Sequence, residues 1–411
     1  MKLQGLSMRV ERIRKEETRA GCRLTADVSW EDRDCSSRVA VIETTAEFGR
    51  DLDPGPDAFL LALAPIAQWQ AESRIYVEGS VCCRLRDGLA AATQLFSTWN
   101  SQCRQLKIEP SRGFTPTSPR PKRRTGAFLS GGIDALSLLR RNRLNYPSDH
   151  PGSIRDCVML DGVNPYDHDD TQQRPERRAA FQSYLERMRM LAEQEGFTLV
   201  PIYTNIRTFY PHPSWGKIGF GAGIACNALC LGARIDRVEL ASAGLGVRHH
   251  PEGSHPSLDH HYSTEAVHVH HADVAISRLD KLRIIADWPE GLAVLRPCFG
   301  SVLRDDGLNC GECEKCIRTM VGLVALGKLG QAATFAADDV TPAMLEPVWI
   351  DGENTLPFYT ECIEPLRARG RKDLVDLILE KTKAYEHWQR RQKIASFAGR
   401  SRVLGRLFNA H

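Results

Sequence analysis

The sequence predicts an α/β protein: a parallel sheet with helices on both faces, preceded by a small α+β region and followed by a helical extension. Three observations carry this expectation. From Thr125 to about Leu329, short apolar runs alternate with helical stretches, the pattern of strands joined by crossover helices. The first of these runs, Gly126-Ala-Phe-Leu129, passes through a Ser-Gly-Gly turn straight into an apolar helix. Before Ser111 the runs alternate apolar and polar residues instead, as half-buried strands do.

In chain order, Leu24–Trp30 and Arg38–Ile42 read as strands. Asp57–Ala64, after Pro54-Gly55-Pro56, reads as a short buried helix, and Ser73–Glu78 as a strand. Asp87–Trp99 puts Leu89, Ala92, Leu95 and Phe96 on one helical stripe. No catalytic constellation occurs here, so residues 1–110 are expected to form a recognition domain. Residues 111–124, rich in Pro, Ser and Thr with five basic side chains, are expected to be a linker. A chain beginning near Pro119 is then expected to keep nucleotide binding. In residues 125–330 the expected strands are Gly126–Leu129, Cys157–Leu160, Phe197–Tyr203 and Arg237–Ser242. Gln173–Glu195 and Gly219–Ala233 are the helices between the later ones. Residues 331–411 read as helices ending in a basic tail.

The 411 residues carry a net charge of +3, with 26% charged and 42% hydrophobic side chains. This excludes a disordered chain and a polycation that coats nucleic acid. No apolar run approaches the ~20 residues of a membrane helix. The start, Met1–Gly21, has charge but no apolar h-region, so a cytoplasmic location is expected. Thirteen cysteines in so long a chain fit a reducing compartment with one metal site better than a disulfide framework.

Ser130-Gly131-Gly132-Ile133-Asp134 is the most informative segment. Glycines let backbone N–H groups approach an anion, and a helix N-terminus adds about half a positive charge. The loop has neither a Walker lysine nor a GxGxxG pattern. With its strand before and helix after, it resembles the pyrophosphate loop (SGGxDS) of the ATP pyrophosphatases of the adenine nucleotide α-hydrolase superfamily. The family's second serine is Ala135 here, which removes one hydroxyl donor; Ser137 lies two residues on, on another helix face. The resemblance implies that Ser130, Gly131 and Gly132 hold pyrophosphate and that Asp134 positions Mg2+ or the phosphates. Ser137, Leu160 and Gly162 complete the ATP-binding set it implies.

Cys298-x11-Cys310-x2-Cys313-x2-Cys316 supplies four thiolates, enough for a closed tetrahedral zinc site, with an iron–sulfur cluster as the rival. Gly311 permits the bend of the knuckle, and Lys315 and Arg318 offset thiolate charge. Loop and late CGxCxxCxR run together resemble 7-cyano-7-deazaguanine synthase, the QueC-like branch, from about Gly126 to Leu326. The small-residue helix Gly223–Ala233 and the segment Ser277–Arg283 agree more loosely. The regions on either side are foreign to that enzyme. The resemblance implies the HUP/PP-loop fold and an ATP-dependent ligase. An acid attacks the α-phosphate of Mg·ATP, giving an adenylate and pyrophosphate, and a nitrogen nucleophile displaces AMP. By the same resemblance the acid is 7-carboxy-7-deazaguanine and the nucleophile is ammonia or a partner's amine. QueC-like proteins also occur in prokaryotic antiviral systems. Two other classes stay open: a tRNA sulfur-transfer enzyme, and a non-catalytic scaffold, which Ala135 favours.

Eight histidines fall between Arg248 and His271: His249, His250, His255, His260, His261, His268, His270 and His271. They follow the fourth strand, and parallel sheets bind ligands at the carboxyl ends of strands. Asp259, Ser263 and His270 are therefore candidate substrate contacts, and His255 and Glu265 candidate proton-transfer groups; a surface loop is the alternative. Lys281 is a candidate catalytic cation, and Lys281 and Arg283 either neutralise phosphate or are solvated. Trp388–His411 holds six Arg or Lys residues and no acid. A small-molecule acid substrate, a protein partner docked by the N-terminal region or this tail, and a homodimer are the expected partners. Nucleic acid is less favoured.

Overall fold

The structure is a computed structural model that describes residues 7–100, 103–115, 124–163, 175–244, 251–298, 308–350 and 352–408. The chain forms two compact units, Met1–Leu303 and Arg304–His411.

The first unit is an α/β structure on a ten-stranded, mostly parallel sheet. Strands β1 (Ser7–Glu17), β2 (Gly21–Trp30) and β3 (Arg38–Thr45) form an antiparallel meander. Helix α1 (Asp57–Trp69) leads to β4 (Arg74–Val77), which runs parallel to β1. β5 (Val81–Cys82), α2 (Cys83–Trp99), β6 (Lys107–Pro110) and β7 (Phe114–Thr115) follow. β6 pairs with β4, and β5 pairs with β7 in a small second sheet. Then come β8 (Arg124–Phe128), α3 (Ile133–Asn145), β9 (Ile154–Asp161), α4 (Pro175–Glu195) and β10 (Thr198–Thr204). α5 (Phe220–Leu229), β11 (Ile235–Ala241), β12 (His268–Ala272), α6 (Arg278–Ala286) and α7 (Pro289–Leu292) complete the unit.

The sheet order is β12-β11-β8-β9-β10-β3-β2-β1-β4-β6. Val158, Val200, Ile202 and Val238 share one core with α1 and α5. Their sequence neighbours Cys157, Met159 and Leu199 point to the opposite face by the two-residue pleat. α1 is enclosed from Ala58 to Gln68, because the apolar run Phe59-Leu60-Leu61-Ala62-Leu63-Ala64 lets it lie between the sheet and α5.

The expected break after residue 110 is not a break in the sheet. β3 pairs antiparallel with β10 through Ile202↔Thr44 and Thr204↔Ile42, and residues from both sides share one core. Of the expected linker, residues 116–123 lie outside the described residues. β1, which the charged start concealed, buries only Met8 and Val10 in full along with Ser7. Its charged side chains pair instead, as in Arg9–Glu31 at 2.7 Å and Arg14–Asp27 at 3.3 Å.

The second unit is helical: α8 (Glu314–Leu326), α9 (Pro342–Leu345), α10 (Gly352–Thr360), α11 (Ile363–Ala368) and the 37-residue α12 (Lys372–Phe408). It begins earlier than the expected 331, so the CxxCxxC knuckle and α8 belong to it. α8 ends at Gly327, whose φ of 70° is the left-handed cap conformation. Arg369 donates to the orphan carbonyls of Ala325 (2.9 Å) and Leu326 (2.6 Å).

Candidate functional site

From β8 the chain winds to one side through β9 and β10, then returns to add β11 and β12 on the other. The order therefore reverses between β8 and β11. Outside the carboxyl ends of these two strands lies the crevice where open parallel sheets hold ligands. The residues that follow them are Leu129–Gly132 and Ser242–Gly244.

Gly131 takes φ 75°, a conformation that favours glycine, and a Cβ there would lie 1.5 Å from the Tyr184 Oη. The loop is thus moulded against α4. Tyr184 donates to the Val294 carbonyl at 2.7 Å, and the Arg296 N–H donates to the Gly131 carbonyl at 2.8 Å. Ser130 stays exposed, its Oγ accepting the Gly132 N–H at 3.3 Å, and Gly132 is the N-cap of α3.

In the first turn of α3, Asp134 meets two cations from α6. Its Oδ1 is 3.2 Å from Lys281 Nζ and its Oδ2 is 3.1 Å from an Arg278 Nη. Lys281 is wholly buried and also donates to the Ser242 carbonyl at the end of β11. Burial pushes the Lys281 amine below its ordinary range, and Asp134 works against that shift. Ser277 caps α6 by accepting the Asp280 N–H at 3.1 Å, so the N-termini of α3 and α6 both end at this cluster. Asp273, just beyond β12, pairs with Arg141 of α3.

Asp134 and Lys281, two of the four candidate catalytic residues, are in contact. Ser137 is not at the loop surface: its side chain is fully enclosed one turn into α3, facing the core. Ala135 is buried as well, at 7% exposure. Leu160 packs against the shared core. Gly162, at φ 90°, serves a close approach of backbones, since a Cβ would lie 1.8 Å from the Thr204 carbonyl oxygen. Arg283 is exposed and paired with Asp280. Arg278, Tyr184 and Arg296 were not singled out by the motif. Of these, only Arg278 carried a signal, three residues before Lys281 on the same helix face.

The histidine segment builds a different centre. Asp259, fully buried, accepts from Ser254 Oγ (2.6 Å), the His255 N–H (3.2 Å) and His271 Nδ1 (2.7 Å). It lies against α5, where a Cβ on Gly221 would sit 2.6 Å from its Oδ1. His271 shares its sheet face with Val269 of the α1–α5 core. His255 packs edge-on to Trp99, with ring centroids 5.2 Å apart. Ser263 Oγ accepts the Val269 N–H at 3.0 Å and donates to the His260 carbonyl at 2.8 Å, a strand-edge role. Glu265 donates its N–H to Cys82 Sγ at 3.4 Å. His270 bonds Glu239 at 2.6 Å; burial opposes the charge of Glu239, but His270 and Arg237 outweigh it and hold that carboxyl low. His249 and His250 lie outside the described residues.

The Sγ atoms of Cys298, Cys310, Cys313 and Cys316 all lie within 4.8 Å of one another. Gly311, at φ 72°, turns the chain so that the Cys313 N–H points at Cys310 Sγ at 3.2 Å. Cys313 is the N-cap of α8, and Cys316 sits in its first turn. Four sulfur donors in this arrangement could bind a metal ion such as zinc. Among the described residues no helix is long and apolar enough to cross a membrane.

No protein-family model, curated protein or solved structure matches the chain.

Proposed function

We propose that the chain is an ATP-dependent ligase that cleaves ATP to AMP and pyrophosphate while activating an acid for attack by a nitrogen nucleophile. One observation carries this reading: a Ser-Gly-Gly turn at the strand-order reversal, with two helix N-termini and the Lys281–Asp134–Arg278 cluster beside it. Backbone N–H groups and cations gathered there suit the charge that develops on a departing pyrophosphate. The loop has no lysine of the Walker kind to serve γ-phosphoryl transfer.

The finer reading is a QueC-like member of the HUP/PP-loop superfamily. Its acid is 7-carboxy-7-deazaguanine or a relative, and the nucleophile is ammonia or the amine of a partner. Zinc is the metal proposed for the four thiols, a structural tie without a chemical step of its own. A cytoplasmic setting, a homodimer and an antiviral context belong to the same proposal. A non-catalytic scaffold is the second reading, supported by the buried Ala135 where the family has a phosphate-binding serine.

Product analysis tests it. Incubation with Mg·ATP and candidate acids should release AMP and pyrophosphate in equal amounts, and only with the right acid. ADP and phosphate as stoichiometric products would overturn the mechanism. ATP binding without turnover across a broad panel of acids would favour the scaffold.

A further inference from the structure

We infer that Arg278 is a phosphate-binding cation of this site and that Asp134 is its positioning counter-ion rather than a magnesium ligand; the inference rests on the pyrophosphate reading of the loop. Asp134 has two carboxylate oxygens, and each already faces a cation: Oδ2 faces Arg278 at 3.1 Å and Oδ1 faces Lys281 at 3.2 Å. A divalent cation on this carboxylate would stand beside two like charges or would have to displace them. A phosphate oxyanion is drawn to the two cations, with the Asp134 carboxylate as the one opposing charge among the three groups.

The charges of the cluster point the same way. Among the described residues, Arg278, Lys281 and Arg141 against Asp134 and Asp273 leave one positive charge in excess, and the N-termini of α3 and α6 add their partial positive charges. The two cations are not equivalent. Lys281 has 0% side-chain exposure and is held by the Ser242 carbonyl and Asp134. Arg278 keeps 14% exposure, with an Nη 3.4 Å from the Ala243 carbonyl. It is the cation with surface left to offer. Its planar guanidinium can also grip two oxygens of one phosphate, which an ammonium cannot do. Asp134 then has the work of aiming Arg278 along the loop, and Lys281 that of tying α6 to β11.

Calorimetric titration of the full-length chain with inorganic pyrophosphate, with and without Mg2+, tests the assignment. Wild type should bind pyrophosphate without Mg2+. Arg278→Gln should weaken that binding about tenfold or more, with Arg278→Lys intermediate because it keeps the charge but loses the two-pronged grip. Asp134→Asn keeps an amide oxygen to face Arg278 but removes an anion beside an anion site, so it should tighten Mg2+-free binding and keep whatever gain Mg2+ gives. Melting curves of each variant separate a binding loss from unfolding, and the Lys variant answers the question if Gln proves unstable. Wild-type affinity in Arg278→Gln would overturn the inference alone. So would selective loss of a magnesium-dependent gain in Asp134→Asn. A wild-type chain that binds neither pyrophosphate nor ATP would overturn the inference together with the reading of the loop.

Discussion

The Thr44 hydroxyl donates to the carbonyl of Pro201 at 2.7 Å, joining β3 of the first meander to β10 of the parallel sheet. The backbone pairing of these strands begins at the next residue, Ile202. Tyr210 extends the same seam by donating its phenol to the Ala62 carbonyl in α1. A chain beginning near Pro119 would lose β3 and α1 and expose the apolar face of α5 that α1 now buries. It is therefore expected to be insoluble or uncooperative in urea unfolding, not a free-standing nucleotide domain. Thr44→Val should cost ~1 kcal/mol in one transition shared by residues 7–298, as a lost buried hydrogen bond does. Two separate transitions would restore the expected domain boundary.

This seam also shows where sequence reading stops. β2, β3, β4 and β8–β11 were legible because each alternates or runs apolar over its own length. Which strand lies beside which was not, since a pairing between Thr44 and Ile202 leaves no trace in local pattern. Pro201 is tolerated inside β10 because β3 pairs only beyond the proline. β12 was hidden by composition: His-Val-His-His-Ala offers one branched apolar residue, and its strand state depends on pairing with β11. At the site, the loop and Lys281 were legible as motif and charge. Tyr184 was not, because its partner is a missing Cβ on Gly131, far away in sequence.

Gly131→Ala should damage the loop on two counts. The backbone sits at φ 75°, which costs a residue with a Cβ ~1–3 kcal/mol. The new methyl would also collide with Tyr184 Oη, breaking its bond to Val294. Reduced thermal stability and loss of pyrophosphate binding are expected together. Tyr184→Phe in the Gly131→Ala background should recover part of the stability by removing the colliding oxygen. Full pyrophosphate affinity in the alanine variant would show that the turn does not hold the anion.

Stability should fall as pH drops below about 6.5. Burial pushes the His268 imidazole below its ordinary value of 6.5, and Arg84 and Arg237 push it the same way; His261 is lowered by burial and by His260. A depressed folded-state value means that the unfolded chain takes up protons first. The stabilisation is thus complete above 6.5 and is lost as pH falls toward the folded-state values. Denaturant midpoints between pH 7.5 and 5.5 would show the slope, and a His261→Gln, His268→Gln double variant should flatten it. An unchanged slope in that variant would assign the effect to other groups.

The last expectation concerns the four thiols. Sulfurs held within 4.8 Å of one another, with the Cys313 N–H on Cys310 Sγ, suit four donors that share one cation. Lys315 and Arg318 stand in the first two turns of α8, where Arg318 pairs with Glu314 at 3.5 Å. One metal ion per chain is expected, zinc in a colourless protein. Metal binding should protect these thiols, so a strong chelator should make four further cysteines react with a thiol reagent under native conditions. It should also lower the melting temperature, because the N-terminal turn of α8 is built on Cys313 and Cys316. Cys313→Ser should reproduce both effects without chelator. Stoichiometric iron with visible absorbance would replace zinc by a cluster and revive the sulfur-transfer reading. Equal thiol reactivity with and without chelator would show that the four sulfurs hold no ion at all.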